Sequence, residues 1–298
     1  MVLNCQLAIG TERMDQCQAP LMQLKKRKPS KSESIEAAAI TCLAAYFDSF
    51  NGDPYNILDC HKVQEWSTYY ENCSQQVCTI KFDLTEPFVG DVYFYYGLEN
   101  FFQNHRRYMK SRNDKQLMGF LEETSECEPF AKEGDTVIAP CGAIANSMFN
   151  DTFTLTREGA QTNVPWTYEG LVWTVDKKTK FRNPTTDGEV QDLCTAFEST
   201  VKPPNWAKKP CELDKSNEDN NGFKNADFMI WMRTAALPDF RKPYRALDRS
   251  NPAYAAGLPK GSYVLTIGNN YPLAAFASFL EWFFGCPHKI WPSPVRTC

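Results

Sequence analysis

The residues able to bind metals or act as nucleophiles in this 298-residue chain include three histidines and twelve cysteines, and their spacing argues against both uses. His61, His105 and His288 lie tens of residues apart or more and form no HExxH pair, and the cysteines show no CxxC repeat of zinc-site spacing. Neither GxxxxGK nor GxGxxG occurs, so no backbone cradle for a phosphate or dinucleotide is announced. No pair of carboxylates and no Ser/His/Asp set stands in a recognisable order, and His105 has no companion motif as a base. The chain therefore reads as a non-enzyme without catalytic residues, metal or cofactor.

Two stretches invite a binding role. Residues 101–112 place His105, Arg106, Arg107, Lys110 and Arg112 among Phe101, Phe102, Tyr108 and Met109. An arginine fork can grip the carboxylates of a partner or an anionic head group; the plainer reading pairs these cations with local acids such as Glu99 and Asp114, or with sheet carbonyls. Asn217-Glu218-Asp219-Asn220-Asn221-Gly222 looks like the start of a calcium loop. Its twelfth position is Phe228 rather than a bidentate glutamate, so an Asn-Gly turn is the simpler assignment.

Other residues speak to compartment. Cys60, Cys73, Cys78, Cys127 and Cys141 are interleaved with two sequons, Asn72-Cys73-Ser74 and Asn150-Asp151-Thr152. That combination fits an oxidising, glycosylating compartment; the alternative is buried thiols and unused sequons in a cytosolic protein. Lys+Arg 32 against Asp+Glu 36 leaves a net charge of −4, without the basic excess that drives nucleic-acid binding. With 43% hydrophobic residues the chain is of ordinary globular composition. Neither apolar stretch, residues 37–47 nor 273–280, reaches the ~20 residues of a spanning helix. The basic run Lys25-Lys26-Arg27-Lys28 continues into Pro29 rather than an apolar segment, so no signal-peptide layout is visible.

The elements that would position these residues are mostly strands. Residues 77–84 alternate Cys78, Ile80, Phe82 and Leu84 with polar neighbours, the period of a half-buried strand. The aromatic run 91–98 predicts a strand buried on both faces, and 171–175, 228–232 and 263–267 carry β-branched and aromatic residues of the same kind. One helix is expected over 99–112, with Phe102, His105, Arg106 and Met109 on a stripe. Residues 183–189 and 202–225 read as long polar connections.

A family resemblance adds what spacing alone does not. Ala139-Pro140-Cys141-Gly142-Ala143-Ile144-Ala145-Asn146-Ser147-Met148-Phe149-Asn150-Asp151-Thr152 resembles the hallmark of the Cell cycle control protein 50 family, β-subunits of type-IV P-type ATPases that flip lipids. So do Tyr95-Tyr96-Gly97-Leu98 running into Asn104-His105-Arg106-Arg107-Tyr108, Lys180-Phe181-Arg182-Asn183-Pro184, Lys202-Pro203-Pro204-Asn205-Trp206, and Asn220-Asn221-Gly222-Phe223 followed by Trp231-Met232-Arg233-Thr234-Ala235-Ala236-Leu237-Pro238. The blocks are collinear from about residue 78 to 272.

The resemblance implies a mainly β fold: an antiparallel, jelly-roll-like β-sandwich ectodomain with long loop insertions and a few short helices, set between two membrane helices. It implies a non-catalytic subunit needed for the ATPase to leave the endoplasmic reticulum and move aminophospholipids. The domain would then face the lumen or exterior in the ER, Golgi, endosome or plasma membrane, bound to the ATPase as a heterodimer, touching membrane lipids only indirectly and no nucleic acid. The corresponding organisation is a polar, basic tail with an Ala-rich segment (1–50), a sandwich domain (51–275) and a divergent tail (276–298). A soluble, lumenal or secreted glycan- or protein-binding variant without anchors is the alternative, since no complete membrane helix is visible.

The resemblance also assigns residues. Cys127 and Cys141 would form a disulfide; by order along the chain alone, Cys60 would pair with Cys78, with Cys73 competing. Asn150 and Asn72 would carry glycans. Asn104, His105, Arg106 and Arg107, with Trp231 and Arg233 of the later block, would be structural or interface residues. For the first group the reading is mainly architectural, with Phe102 and Met109 inward and Arg106 paired or snorkelling at the sheet edge. The sequon that the family carries before Tyr271-Pro272 is replaced here by Ile267-Gly268-Asn269.

Overall fold

A computed structural model describes residues 4–10, 65–70, 76–185 and 192–271. The strands are β1 (Asn4–Gly10), β2 (Glu65–Tyr69), β3 (Val77–Leu84), β4 (Phe88–Val89), β5 (Tyr93–Glu99), β6 (Lys132–Glu133), β7 (Thr136–Ile138), β8 (Thr152–Arg157), β9 (Trp166–Thr167), β10 (Thr200–Val201), β11 (Phe240–Leu247), β12 (Gly257–Leu258) and β13 (Gly261–Gly268). A five-stranded antiparallel sheet runs β2-β1-β5-β11-β9, and a three-stranded one runs β3-β13-β8. The protein is mainly antiparallel β, as the resemblance implied.

Aromatic rings join the two larger sheets. Trp66 of β2 stacks on Phe82 of β3 with centroids 3.7 Å apart, and Phe153 of β8 meets Phe94 of β5 at 5.5 Å and Tyr244 of β11 at 5.0 Å. Such pairs add about 0.5–1.5 kcal/mol each beyond their area burial, so alternate inward positions of both sheets form one core. The alternation read in 77–84 is strand β3, and 263–267 falls in β13, where Tyr263, Leu265 and Ile267 are buried. In β5 the five residues from Phe94 to Leu98 are all buried, as the continuous apolar run predicted.

Strand β1 comes from the segment that composition set apart as a tail. Cys5, Leu7 and Ile9 enter the main core while Ala8 packs on Tyr95 from the opposite face. Its partners in β5 lie about ninety positions along the chain, so local composition carries no trace of the pairing. The rest of the basic and Ala-rich stretch, Cys60, Asn72, Cys73 and the 276–298 tail lie outside the described residues.

Two predicted strands are not strands. Residues 226–232 form a helix, and 171–175 are a turn leading into another. A short apolar run buried on all sides has no periodicity to separate helix from strand; here Asn225 decides it, accepting the Phe228 N–H at 3.0 Å as an N-cap. The helix expected over 99–112 shrinks to Arg106–Lys110.

Candidate functional site

The basic segment is a strap laid across residues 231–238. Phe101 N–H donates to Pro238 O at 2.9 Å, the buried Gln103 Oε1 accepts Ala235 N–H at 2.9 Å, and Asn104 Nδ2 donates to Ala236 O at 3.0 Å. Phe101 drives edge-on into Tyr108 (5.9 Å), Trp231 (5.6 Å) and Phe240 (6.1 Å). Helix α1 (Arg106–Lys110) then starts at His105, whose Nδ1 accepts the Arg107 N–H at 3.3 Å. Desolvation, then the Arg107 charge, holds the His105 imidazole below its usual value.

This geometry corrects the expected orientation. Phe101 and Tyr108 face inward, while Phe102 is 38% exposed and Met109 42%. Helical geometry begins only at Arg106, so no stripe extends back to Phe102, and the buried anchor is Tyr108, with its hydroxyl 2.7 Å from Ser147 Oγ. Arg106 is exposed and carries no ion pair among the described residues. Arg107 and Lys110 are exposed too. The local acid Asp114 is taken by Arg112 at 3.1 Å, and Glu99 accepts from Tyr69 at 2.8 Å.

Beneath the strap, Ser111 and Gln116 tie it to the hallmark block. Ser111 Oγ donates to Glu128 O at 3.1 Å and accepts the Ala143 N–H at 2.9 Å, and Gln116 Oε1 accepts the Cys141 N–H at 2.8 Å. Cys127 and Cys141 form a disulfide across this loop, with Cα atoms 5.6 Å apart. Gly142 has φ of +100° and passes so close to the strap that a Cβ there would lie 2.1 Å from Ser111 O. Helix α2 (Ala143–Asn146) is closed by two indoles: Trp231 Nε1 donates to Ile144 O and Trp206 Nε1 to Ala145 O, both at 2.7 Å.

The sequon that follows is split by burial. Asp151 is buried and accepts from Tyr70 Oη (2.9 Å) and from the N–H groups of Asn270 and Tyr271 (2.6 Å each), while Asn150 and Thr152 on either side are exposed. Desolvation raises the Asp151 carboxyl, with the Tyr271, Tyr70 and Asn270 hydrogen bonds opposing it. The asparagine carboxamide lies on the surface beside a carboxylate that pins the exit of β13.

Residues 16–279 match the model of the LEM3 (ligand-effect modulator 3) family / CDC50 family. The chain belongs to that family. It is 50% identical to Cell cycle control protein 50A of Bos taurus over 212 residues, 69% of this chain and 57% of that protein. With Cell cycle control protein 50C of Mus musculus it shares 44% over 239 residues, 76% of this chain and 68% of that one. ALA-interacting subunit 3 of Arabidopsis thaliana is 34% identical over 211 residues, 70% of this chain and 54% of that protein. The chain thus spans little more than half the length of several curated relatives.

In this CDC50-family chain Asn104 ties the basic segment to residues 231–238 through Ala236 O, and Phe101 packs on Trp231. Trp231 is buried, and the exposed Arg233 guanidinium sits 4.1 Å over the ring of the half-exposed Trp173. Cys78 is disulfide-bonded, and its expected partner Cys60 falls outside the described residues, as does Asn72. Among the described residues no cluster of His, Cys, Asp or Glu is placed to hold a metal, and no helix is long and apolar enough to cross a membrane.

Sequence reading missed two features, while its turn assignment for residues 217–222 holds. Cys194 and Cys211 form a second disulfide, Cα atoms 5.1 Å apart. Lys242 is buried in β11 with its ammonium donating to the carbonyls of Ile230 (3.0 Å), Trp231 (3.4 Å) and Arg233 (2.5 Å) at the end of the 226–232 helix. The apparent calcium loop spends its oxygens on its own turns: Asn217 Oδ1 accepts Asp219 N–H, Asn220 Oδ1 accepts Ala226 N–H, and Asn221 Oδ1 accepts Gly222 N–H. Only the cysteine count hinted at the first, and because no strand was read over 240–247 nothing pointed to the second.

Proposed function

We propose that this chain is the ectodomain-bearing, non-catalytic accessory subunit of a type-IV P-type ATPase phospholipid flippase, required for its exit from the endoplasmic reticulum and for aminophospholipid translocation. The observation that carries the reading is the family match over residues 16–279, supported by a relative whose name makes it an interacting subunit. Residues 51–275, joined by strand β1, would be the lumenal domain, with glycans on Asn150 and Asn72 and a Cys60–Cys78 bridge. The cations that this domain leaves exposed on its strap, Arg106, Arg107 and Lys110, would face acidic groups of the ATPase, with Phe102 and Met109 supplying apolar contact.

The test is co-purification. Tagged chain isolated from detergent-solubilised membranes is expected to bring down a large P-type ATPase, and its depletion to retain that ATPase in the endoplasmic reticulum. Recovery of the chain alone, in a soluble lumenal fraction, would instead support a free-standing ligand-binding sandwich.

A further inference from the structure

The most reactive dipeptide toward deamidation in the described residues, Asn221-Gly222, sits at the centre of a buried knot. In an Asn-Gly pair the backbone nitrogen of the glycine attacks the asparagine Cγ and closes a five-membered succinimide with loss of ammonia. Water then opens the ring to aspartate or isoaspartate. Glycine favours the reaction because no side chain hinders the attacking nitrogen.

The fold cannot avoid this pair. Gly222 has φ of +64°, and a Cβ there would lie 2.4 Å from Asn183 Oδ1 and 3.0 Å from Leu193 Cδ2. Asn221 is only 6% exposed, and its side chain holds three backbone groups: Oδ1 accepts the N–H of Gly222 (2.9 Å) and of Asp214 (3.1 Å), and Nδ2 donates to Cys211 O (2.7 Å). The nitrogen that would attack is therefore already beside the carboxamide, with its proton turned to Oδ1 in place of a lone pair turned to Cγ. Reaching an attack geometry requires rotating the amide, which breaks the bonds to Cys211 and Asp214 in a site that also excludes water.

Asn183 lines one side of this knot, its Nδ2 donating to Asn221 O at 3.1 Å, and two of the other contacts belong to one disulfide. Cys211 supplies the carbonyl that holds Nδ2, and Leu193, against Gly222, immediately precedes Cys194, its bonded partner. We propose that Asn221 is a latent deamidation site held shut by the Cys194–Cys211 disulfide. A dithiol reductant transfers two electrons and two protons to the bridge and becomes a disulfide itself; the freed 3-10 turn at Pro210–Glu212 then no longer fixes the amide through Cys211 O, and succinimide formation proceeds. The product is self-perpetuating. An aspartate or isoaspartate at this position has no side-chain N–H for Cys211 O and brings a carboxylate into a buried site, so re-oxidation would not restore the knot.

The experiment uses the full chain at physiological pH and temperature, with peptide mass spectrometry reading the amide-to-acid mass gain and isoaspartate at residue 221. Three samples are compared: wild type, a Cys194→Ser/Cys211→Ser variant and a Cys127→Ser/Cys141→Ser variant, with chain fully unfolded in denaturant as the upper reference. Near-zero conversion is expected in wild type and a rate approaching the unfolded reference only in the first variant. Circular dichroism is recorded on each, and graded reduction of wild type with alkylation of released thiols covers the case of a variant that does not fold. Under graded reduction, conversion is expected to follow release of Cys194 and Cys211 while circular dichroism stays native. Conversion in oxidised wild type, or none in folded chain with that bridge open, would overturn the proposal.

Discussion

Trp231 Nε1 donates to Ile144 O at 2.7 Å across 87 positions of sequence, closing a helix of four residues that has too few internal bonds to stand alone. Trp206 does the same for the adjacent carbonyl of Ala145. Replacing Trp231 by Phe removes the indole donor and leaves Ile144 O with only the longer Ser147 Oγ bond at 3.1 Å, a cost of about 1 kcal/mol. Urea unfolding is expected to show that loss; a change under about 0.5 kcal/mol would mean that another donor takes the carbonyl.

Gly142→Ala is expected to be far worse than its size suggests. The new Cβ would meet Ser111 O at 2.1 Å in a backbone with φ of +100°, so either the strap or the 127–141 loop must move. Folded, exported protein in a secretion assay is expected to fall nearly to background, and normal export would show that the close approach is dispensable.

For Arg106→Ala the expected outcome is the reverse of the one that its sequence neighbourhood suggested. The side chain is exposed without an ion pair among the described residues, so stability is expected to stay within about 0.5 kcal/mol of wild type while recovery of the ATPase drops. Tyr108→Phe provides the contrast, because its buried hydroxyl bonds Ser147. That variant is expected to lose about 1 kcal/mol. Poor export of Arg106→Ala would return the residue to an architectural role.

Asn150→Gln is expected to remove one glycan and nothing else. The carboxamide is exposed and makes no hydrogen bond among the described residues, whereas the neighbouring Asp151 does the structural anchoring. Gel mobility after glycosidase treatment checks this directly: the variant and untreated wild type must differ by one glycan step.

Burial, helped by the Arg233 charge, pushes the Lys242 ammonium down to about 7. An unfolded lysine titrates near 10.4, so between about pH 7 and 10 the native state binds fewer protons than the unfolded chain. Stability therefore rises with pH across that window, and its loss on acidification is complete once pH has fallen through about 7. Lys242→Met is expected to reduce the slope of unfolding free energy against pH there by about one proton. Equal slopes for the two proteins in denaturant titrations would show that Lys242 stays charged when folded.

Much of this protein was readable from sequence where the signal is local. Alternation in 77–84 and the aromatic run of 91–98 gave strands because side-chain period and burial act over a few residues. The hallmark block and the collinear motifs around it fixed the family. The 228–232 run misled because a segment buried on all sides has no polar face to reveal its period, and the helix at 99–112 was overdrawn because helical geometry begins only at Arg106, leaving Phe101 to pack inward from outside any helix.

Tertiary structure alone decided which side chains of the strap face out, since that depends on Tyr108 finding Ser147 and Gln103 finding Ala235 across more than thirty and more than a hundred residues of chain. It alone placed β1 in the central sheet, joined Cys194 to Cys211 and sank Lys242 beneath a helix end. Sequence determines which residues prefer burial, period and turn. Which partner satisfies a particular buried N–H, carbonyl or thiol is set by distant segments meeting in space, and single-chain patterns hold no record of that meeting.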